Sequence, residues 1–278
     1  MNDAKQMIWH KAYERALKTI TSLRNHCDFK YERDSANADT VRILNAVKPQ
    51  VRNYVPGTPI TRDAVASTSQ DLKIDQFRYF NVGIDDVIKS QTVPGAMEAT
   101  AQEGAIALSE EGDKYVASLV KADFEDVSPK IASITPFTPT KTTATDKIED
   151  GFAILYGNNC KVSDSYWLEV STTFHKVIRP NLIEVLTNNV EMAKKGIVGK
   201  YANAMVTIEN LLPTSTKGSD NVKLNILRTS HAIAFVEQIS KVEAYRPEDA
   251  FEDALKGLYT FGAKIVRPDE AVVLPEII

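Results

Sequence analysis

The side chains of this sequence that could do chemistry are four histidines, two cysteines, a glycine-lysine cluster and two acidic groups. Their spacing argues against most of it. His10, His26, His175 and His231 show none of the pairings by which imidazoles share a zinc ion, and no acidic motif accompanies them. Cys27 and Cys160 lie far apart, outside any paired metal or redox spacing, so no disulfide framework is implied and a reducing compartment fits. A Cys160 nucleophile served by His175 is one covalent scheme the residue types allow, but no nucleophile-bearing turn signature supports it. GIVGK, residues 196–200, has glycines and a lysine, yet Tyr201 stands where a phosphate-binding loop needs Ser or Thr.

Asp85 and Asp86 could act as paired acids or hold a divalent cation. They also sit between a strand pattern and an apolar-striped helix, where a carboxylate accepts hydrogen bonds from the open amides of a first turn and complements the helix dipole. Helix capping is the simpler account. Glu110, Glu111 and Asp113 read as the solvated face of that helix. The sequence thus predicts no catalytic residue, no metal ligand and no cofactor, and its elements carry the rest of the argument.

With 278 residues, 43% of them hydrophobic and 25% charged, the chain can bury one large core or two smaller ones. A net charge of −4 disfavours a generic nucleic-acid-coating protein, which would be strongly basic. The first 62 residues nevertheless hold 11 Lys and Arg against 6 Asp and Glu, a local surplus read first as scattered solvated charge and compatible with facing a polyanion. The start, MNDAKQMIWHKAYERALK, lacks an apolar central region, and the longest apolar runs are about five residues, so neither a signal peptide nor a membrane span is expected.

Trp9, Tyr13, Ala16, Ile20, Leu23 and Cys27 recur in steps of four and three, one stripe of an amphipathic helix that packs on its own domain or on a neighbour. Cys27 closes the stripe as a small buried hydrophobe. Val41, Ile43, Val47, Val51 and Val55 fall on odd positions, the period of extended chain with one apolar face. VPGTPITRDAVASTSQ then breaks the pattern as a long exposed turn region. Strand character returns with Leu72, Ile74, Phe80, Val82 and Ile84 on one face and Phe77 and Tyr79 on the other, giving a hairpin-like arm whose tip, Pro56 to Asp63, has too few apolar residues for a core.

A helix is predicted from about Pro94 to Val120, with Met97, Ala101, Ala105, Leu108, Gly112, Tyr115 and Leu119 as its buried stripe and a length on the order of 40 Å. ITPFTPTKTTATD reads as a surface loop, followed by a short helix over 147–156. YWLEVSTTFHKVIRPNLIEVLTNN reads as a strand feeding a helix interrupted near Pro180, KKGIVGKYANAMVTIENLLPT as a strand pair with a turn, and the last eighty residues mainly as strands.

Taken in order, DTVRILNAVKPQVRNYVPGTPIT, LKIDQFRYFNVGIDDVIKSQ, the alanine-rich helix ending SEEGDKYVASLV, IVGKYANAMVTIENLLP and SHAIAFVEQISKVEAYRPEDAFEDALKGLYTFGAKIVRPDEAVVL resemble the major capsid proteins of tailed bacteriophages, over roughly residues 39–120 and 165–274. The resemblance implies the α+β Hong Kong 97-like fold: an amino-terminal arm (1–38), an extended β-hairpin loop (39–76), a peripheral domain part (77–165) with a spine helix (94–120), a mainly axial domain (166–261) and a carboxy-terminal strand region (262–278). Residues 158–165 and 134–145 have no counterpart in that pattern. Arg52, Arg62 and Asp63 would be inter-subunit loop contacts, and Asp85 and Asp86 would cap the spine helix.

The implied function is a non-enzymatic structural subunit of an icosahedral or prolate phage head, self-assembling as hexamers and pentamers around packaged double-stranded DNA. The implied partners are further copies, a separate scaffolding protein, a portal protein and the DNA, through non-specific contact, with no membrane. The implied location is the virion, after assembly in the bacterial host cytoplasm. A bacterial nanocompartment shell enclosing protein cargo is the alternative within this fold. An enzyme with an unrecognised site and an isolated binding module are the other classes.

Overall fold

The computed structural model describes residues 23–32, 39–45, 51–54, 56, 57, 59, 68–85, 96–161, 165–182, 197–216 and 220–278. The amphipathic helix expected up to Cys27 lies outside these residues except at its end, where Arg24–His26 form a single 3-10 turn.

A long helix, α1 (Ala96–Glu125), lies between two sheets. Its 30 described residues run five positions past the predicted end, because the apolar stripe continues through Val120 to Phe124, both buried; the predicted start at Pro94 lies outside the described residues. Ala101, Ala105, Leu108 and Gly112 are buried as expected, with Tyr115 and Leu119 packed at the margin. Asp113 is buried rather than solvated, because its carboxylate accepts the Arg24 backbone N–H at 2.8 Å. Glu110 is exposed and Glu111 half-buried.

The first sheet is a three-stranded antiparallel layer of β10 (Ile233–Tyr245), β11 (Glu252–Ile265) and β3 (Gln76–Asp85), in that order. Phe80 points to α1, where a methyl group at Gly104 would come within 2.9 Å of its ring. That approach needs glycine. Arg78, on the same face, pairs with Glu111 of α1 at 3.6 Å. The opposite face is covered at one end by a two-stranded hairpin, β1 (Thr40–Asn45) and β2 (Thr68–Lys73), registered Val41 to Leu72 and Ile43 to Gln70. Val41, Ile43, Leu72 and Ile74 form a small core there with Ala234, Val236 and Val266.

The second sheet runs β4 (Ala132–Ser133), β12 (Ala271–Ile277), β9 (Val222–Thr229), β5 (Tyr166–Val170), β7 (Ala204–Ile208) and β6 (Ile197–Tyr201), with β8 (Thr214–Ser215) also on β9. One face joins the core around α1 through Val222, Leu224, Ile226, Ala271 and Val273. The other buries Leu168, Val206, Val272 and Leu274 under α2 (Lys141–Gly157) and α3 (Thr172–Ile178). Burial on both faces explains why VKLNILRT and EAVVL read as near-continuous apolar runs without alternation. Ile197 to Lys200 of GIVGK belong to strand β6, not a phosphate loop, and Ala202 with Asn203 makes the turn into β7, with Ala202 at φ 46°.

Helix α2 begins inside the stretch read as a loop, six residues before the predicted start. Thr140 is its N-cap and Thr143 completes a reciprocal pair: the Thr143 N–H donates to Thr140 Oγ1 at 3.3 Å, and the Thr140 N–H donates to Thr143 Oγ1 at 2.9 Å. A Thr followed three places later by a second hydroxyl side chain signals a cap as well as a loop. Thr140→Ala is expected to cost about 1 kcal/mol in urea unfolding, and Thr140→Ser almost nothing.

Candidate assembly surfaces

Beyond its root, the hairpin turns apolar groups outward. Leu44 is 69% exposed, Val51 94% and Tyr54 66%. The expected single apolar face therefore holds at Val41 and Ile43 and fails at Val51. Arg42 donates through Nε to Asp71 across the strands at 3.2 Å, so the exposed face carries a paired charge beside its apolar groups. Arg52 is exposed on this arm, and the turn at Pro56–Gly57 uses a positive φ of 88° at the glycine.

A second uncovered area continues from the hairpin root along the face of the three-stranded sheet turned away from α1. Phe77 (62% exposed), Tyr79 (78%) and Leu258 lie there, because directly opposed residues, such as Tyr79 and Leu258, point the same way. Tyr79 and Leu258, with Gly257, floor an open cleft of about 390 Å³, walled by Lys241, Glu243 and Lys256. Glu243 bridges the two lysines at 3.6 and 3.1 Å and its carboxyl is held below the usual range, first by the hydrogen bond from Lys256. Contiguous exposed aromatic and aliphatic surface of this kind marks an interaction site.

Between the sheets lies a buried ionic cluster. The Arg228 guanidinium on β9 donates to both carboxylate oxygens of Glu169 on β5, at 3.1 and 2.7 Å, and to the carbonyls of Leu23 and His26 at 2.8 and 3.1 Å. His26 Nδ1 meets Glu169 at 2.9 Å while its ring stacks on Trp167, centroids 3.7 Å apart. Burial alone would push the Glu169 carboxyl up, but the Arg228 charge and the His26 hydrogen bond outweigh it and hold it low. Burial pushes the Cys27 thiol up to about 11, which makes it inert. On the other side of the same segment, Arg24 pairs with Glu237 at 2.8 Å and donates to the Tyr259 hydroxyl.

No protein-family model and no curated protein sequence matches the chain. Solved structures do. A structure titled Mycobacterium phage Che8 matches at 26% identity and TM-score 0.71, covering 91% of this chain and 90% of its own. The capsid of cyanophage P-SCSP1u matches at 18% identity and TM-score 0.66, over 86% and 84%. This chain has the tailed-phage capsid fold. The virus-like particle from Pyrococcus furiosus shares it at 11% identity and TM-score 0.61, over 97% and 99%.

Within the capsid fold, the residues singled out in the sequence fall on separate elements. Arg52 lies on the hairpin, whereas Asp85 closes β3 opposite Glu252, at the start of β11. Arg62, Asp63 and Asp86 lie outside the described residues, as does the stretch where Asp85 and Asp86 would meet a first helical turn. Cys160 and His175 are both partly exposed; the Cys160 thiol faces the Asp269 carbonyl at 3.7 Å. Among the described residues no group of three or more His, Cys, Asp or Glu is placed to hold a metal ion, and no helix is long and apolar enough to cross a membrane. Sequence reading missed the cluster of Arg24, His26, Glu169 and Arg228. Its signal was present: a lone glutamate in WLEV and a lone arginine in NILRT, each inside a strand with both faces buried.

Proposed function

We propose that this protein is the structural subunit of a phage head, a shell of many copies around packaged double-stranded DNA. The observation that carries the reading is the capsid fold matched over nine-tenths of the chain, combined with apolar surface left uncovered on the hairpin and on the three-stranded sheet. A monomer gains nothing from that exposure; a closed lattice buries it in repeated, individually weak contacts. The copies would form hexamers and pentamers, assisted by a separate scaffolding protein and a portal, in the host cytoplasm, with the virion as destination. DNA contact would be non-specific and confined to the inner face. A nanocompartment shell is a second use of the same fold, and the matches to phage structures favour it less. The neighbouring structures are capsids and particles, which supports a structural rather than catalytic role.

The domain division that follows the cores is interleaved in sequence. We assign β3, α1, β10 and β11 to the peripheral domain, and β4 to β9 with α2, α3 and β12 to the axial domain. Strands β10 and β11 thus move out of the axial segment implied at 166–261, because they pair with β3 and cover α1. Helix α2 moves the other way, because it packs on β12.

The hairpin tip should serve neighbours and not the fold. Deleting residues 56–63, or changing Arg52 and Arg62 together to Glu, is expected to leave circular dichroism and melting of the unassembled subunit nearly unchanged while blocking or deforming shells. Arginine's planar fork suits a bidentate contact to a carboxylate on another copy, which the reversal would repel. Normal particles from both variants would remove the hairpin from the assembly surface.

A further inference from the structure

The residues from Leu23 to Asp28 link α1 and both sheets. Within six positions they bond to α1, β10 and β11 on one side and to β5 and β9 on the other. Arg24 reaches Asp113, Glu237 and Tyr259; His26 reaches Glu169; Arg228 reaches back to the carbonyls of Leu23 and His26; and the Asp28 backbone bridges Ile233 and Phe235.

We propose that this segment is a releasable strap, a short polar closure that clamps the long helix and its three-stranded sheet to the second sheet and that opens without unfolding either. Three observations support release. The socket is already paired without the strap: Arg228 and Glu169 keep both of their mutual hydrogen bonds when the strap leaves, so opening exposes an ion pair and not an orphaned charge. The strap's only buried apolar residues are Leu23 and Cys27; Arg24 and His26 are also buried, but as polar side chains held by hydrogen bonds and ion pairs. Its outer end is anchored where water competes, since Asp28 is paired with Lys30 at 2.9 Å and with the half-exposed His231 at 3.1 Å. A segment with few apolar contacts and a water-accessible end opens at lower free energy than the cores around it.

Seated, the strap fixes how the two sheets lie across α1; open, it frees them to shift. If the chain builds a shell, residues before Leu23 that engage a neighbour would pull on this strap, so that assembly and subunit shape are coupled. That consequence rests on the shell reading; the strap itself does not.

Cys27 reports the opening, because its thiol is buried in the seated strap against Leu23 and Arg228, while Cys160 is partly exposed and serves as the internal reference. The experiment is alkylation of the full-length unassembled chain by iodoacetamide, read at each cysteine by mass spectrometry over a range of low urea concentrations. The expected result is a Cys27 rate whose urea dependence is far shallower than that of global unfolding. Lys30→Ala and His231→Ala, each of which removes one charged partner of Asp28 at the strap's outer end and leaves the Arg228–Glu169 pair intact, should each raise that rate severalfold and leave Cys160 unchanged. Cys27 labelling that follows the global unfolding slope, or that ignores both substitutions, would overturn the strap and make Leu23–Asp28 ordinary core. Neither outcome depends on whether the chain forms shells.

Discussion

Leu108→Asp is expected to abolish soluble folded protein, while Glu110→Asp two residues along the same helix leaves yield and melting temperature unchanged. Leu108 is 4% exposed in the core shared by α1 and both sheets, and Glu110 is exposed. An aspartate at 108 either ionises without a partner or folds as a protonated, desolvated acid; either way the cost is about 4 kcal/mol or more, a large part of the total stability of a domain. Soluble yield and far-ultraviolet circular dichroism check it. Equal responses at the two positions would mean that the buried face of α1 has been assigned wrongly.

Breaking the buried ion pair is the second large effect. Arg228→Met leaves Glu169 charged, fully buried and facing only His26, and is expected to cost about 3–5 kcal/mol in urea unfolding. Adding Glu169→Leu to that variant should recover much of the loss, because an apolar pair of similar volume carries no desolvation penalty. The pair also sets an acid limb. Glu169 has a folded pKa below its ordinary 4.5, so the stability it contributes is fully present above about 4.5 and is lost as pH falls toward the lower folded value. Glu169→Gln should therefore flatten the acid side of the stability profile below about pH 4.5.

How far the fold could be read ahead depended on whether a pattern was local. The stripe from Ala101 to Leu119 and the alternation at Val41, Ile43, Leu72 and Ile74 are set by neighbouring residues, and both elements form as the spacing requires. Asp113 defied its residue type because its partner, the Arg24 amide, comes from 89 residues away. Glu169 and Arg228 stand out as charges in apolar strands, yet nothing local says that they find each other or that Leu23 and His26 complete the cluster. Sheet membership was the least legible feature, since β3 pairs with β11 across some 170 intervening residues, about half of the chain and more. The outward-facing Phe77 and Tyr79 were legible as a second strand face, but only the three-stranded layer, with α1 on its other side, shows that this face is left uncovered.

Electron microscopy of the expressed protein, alone and with a scaffolding protein where one is encoded beside it, tests the central claim most directly. Closed shells of uniform size, or hexameric and pentameric rings, are the predicted result, with the hairpin and the Phe77–Tyr79 face at contacts between copies. A monodisperse monomer that persists at high protein concentration under both conditions would contradict it.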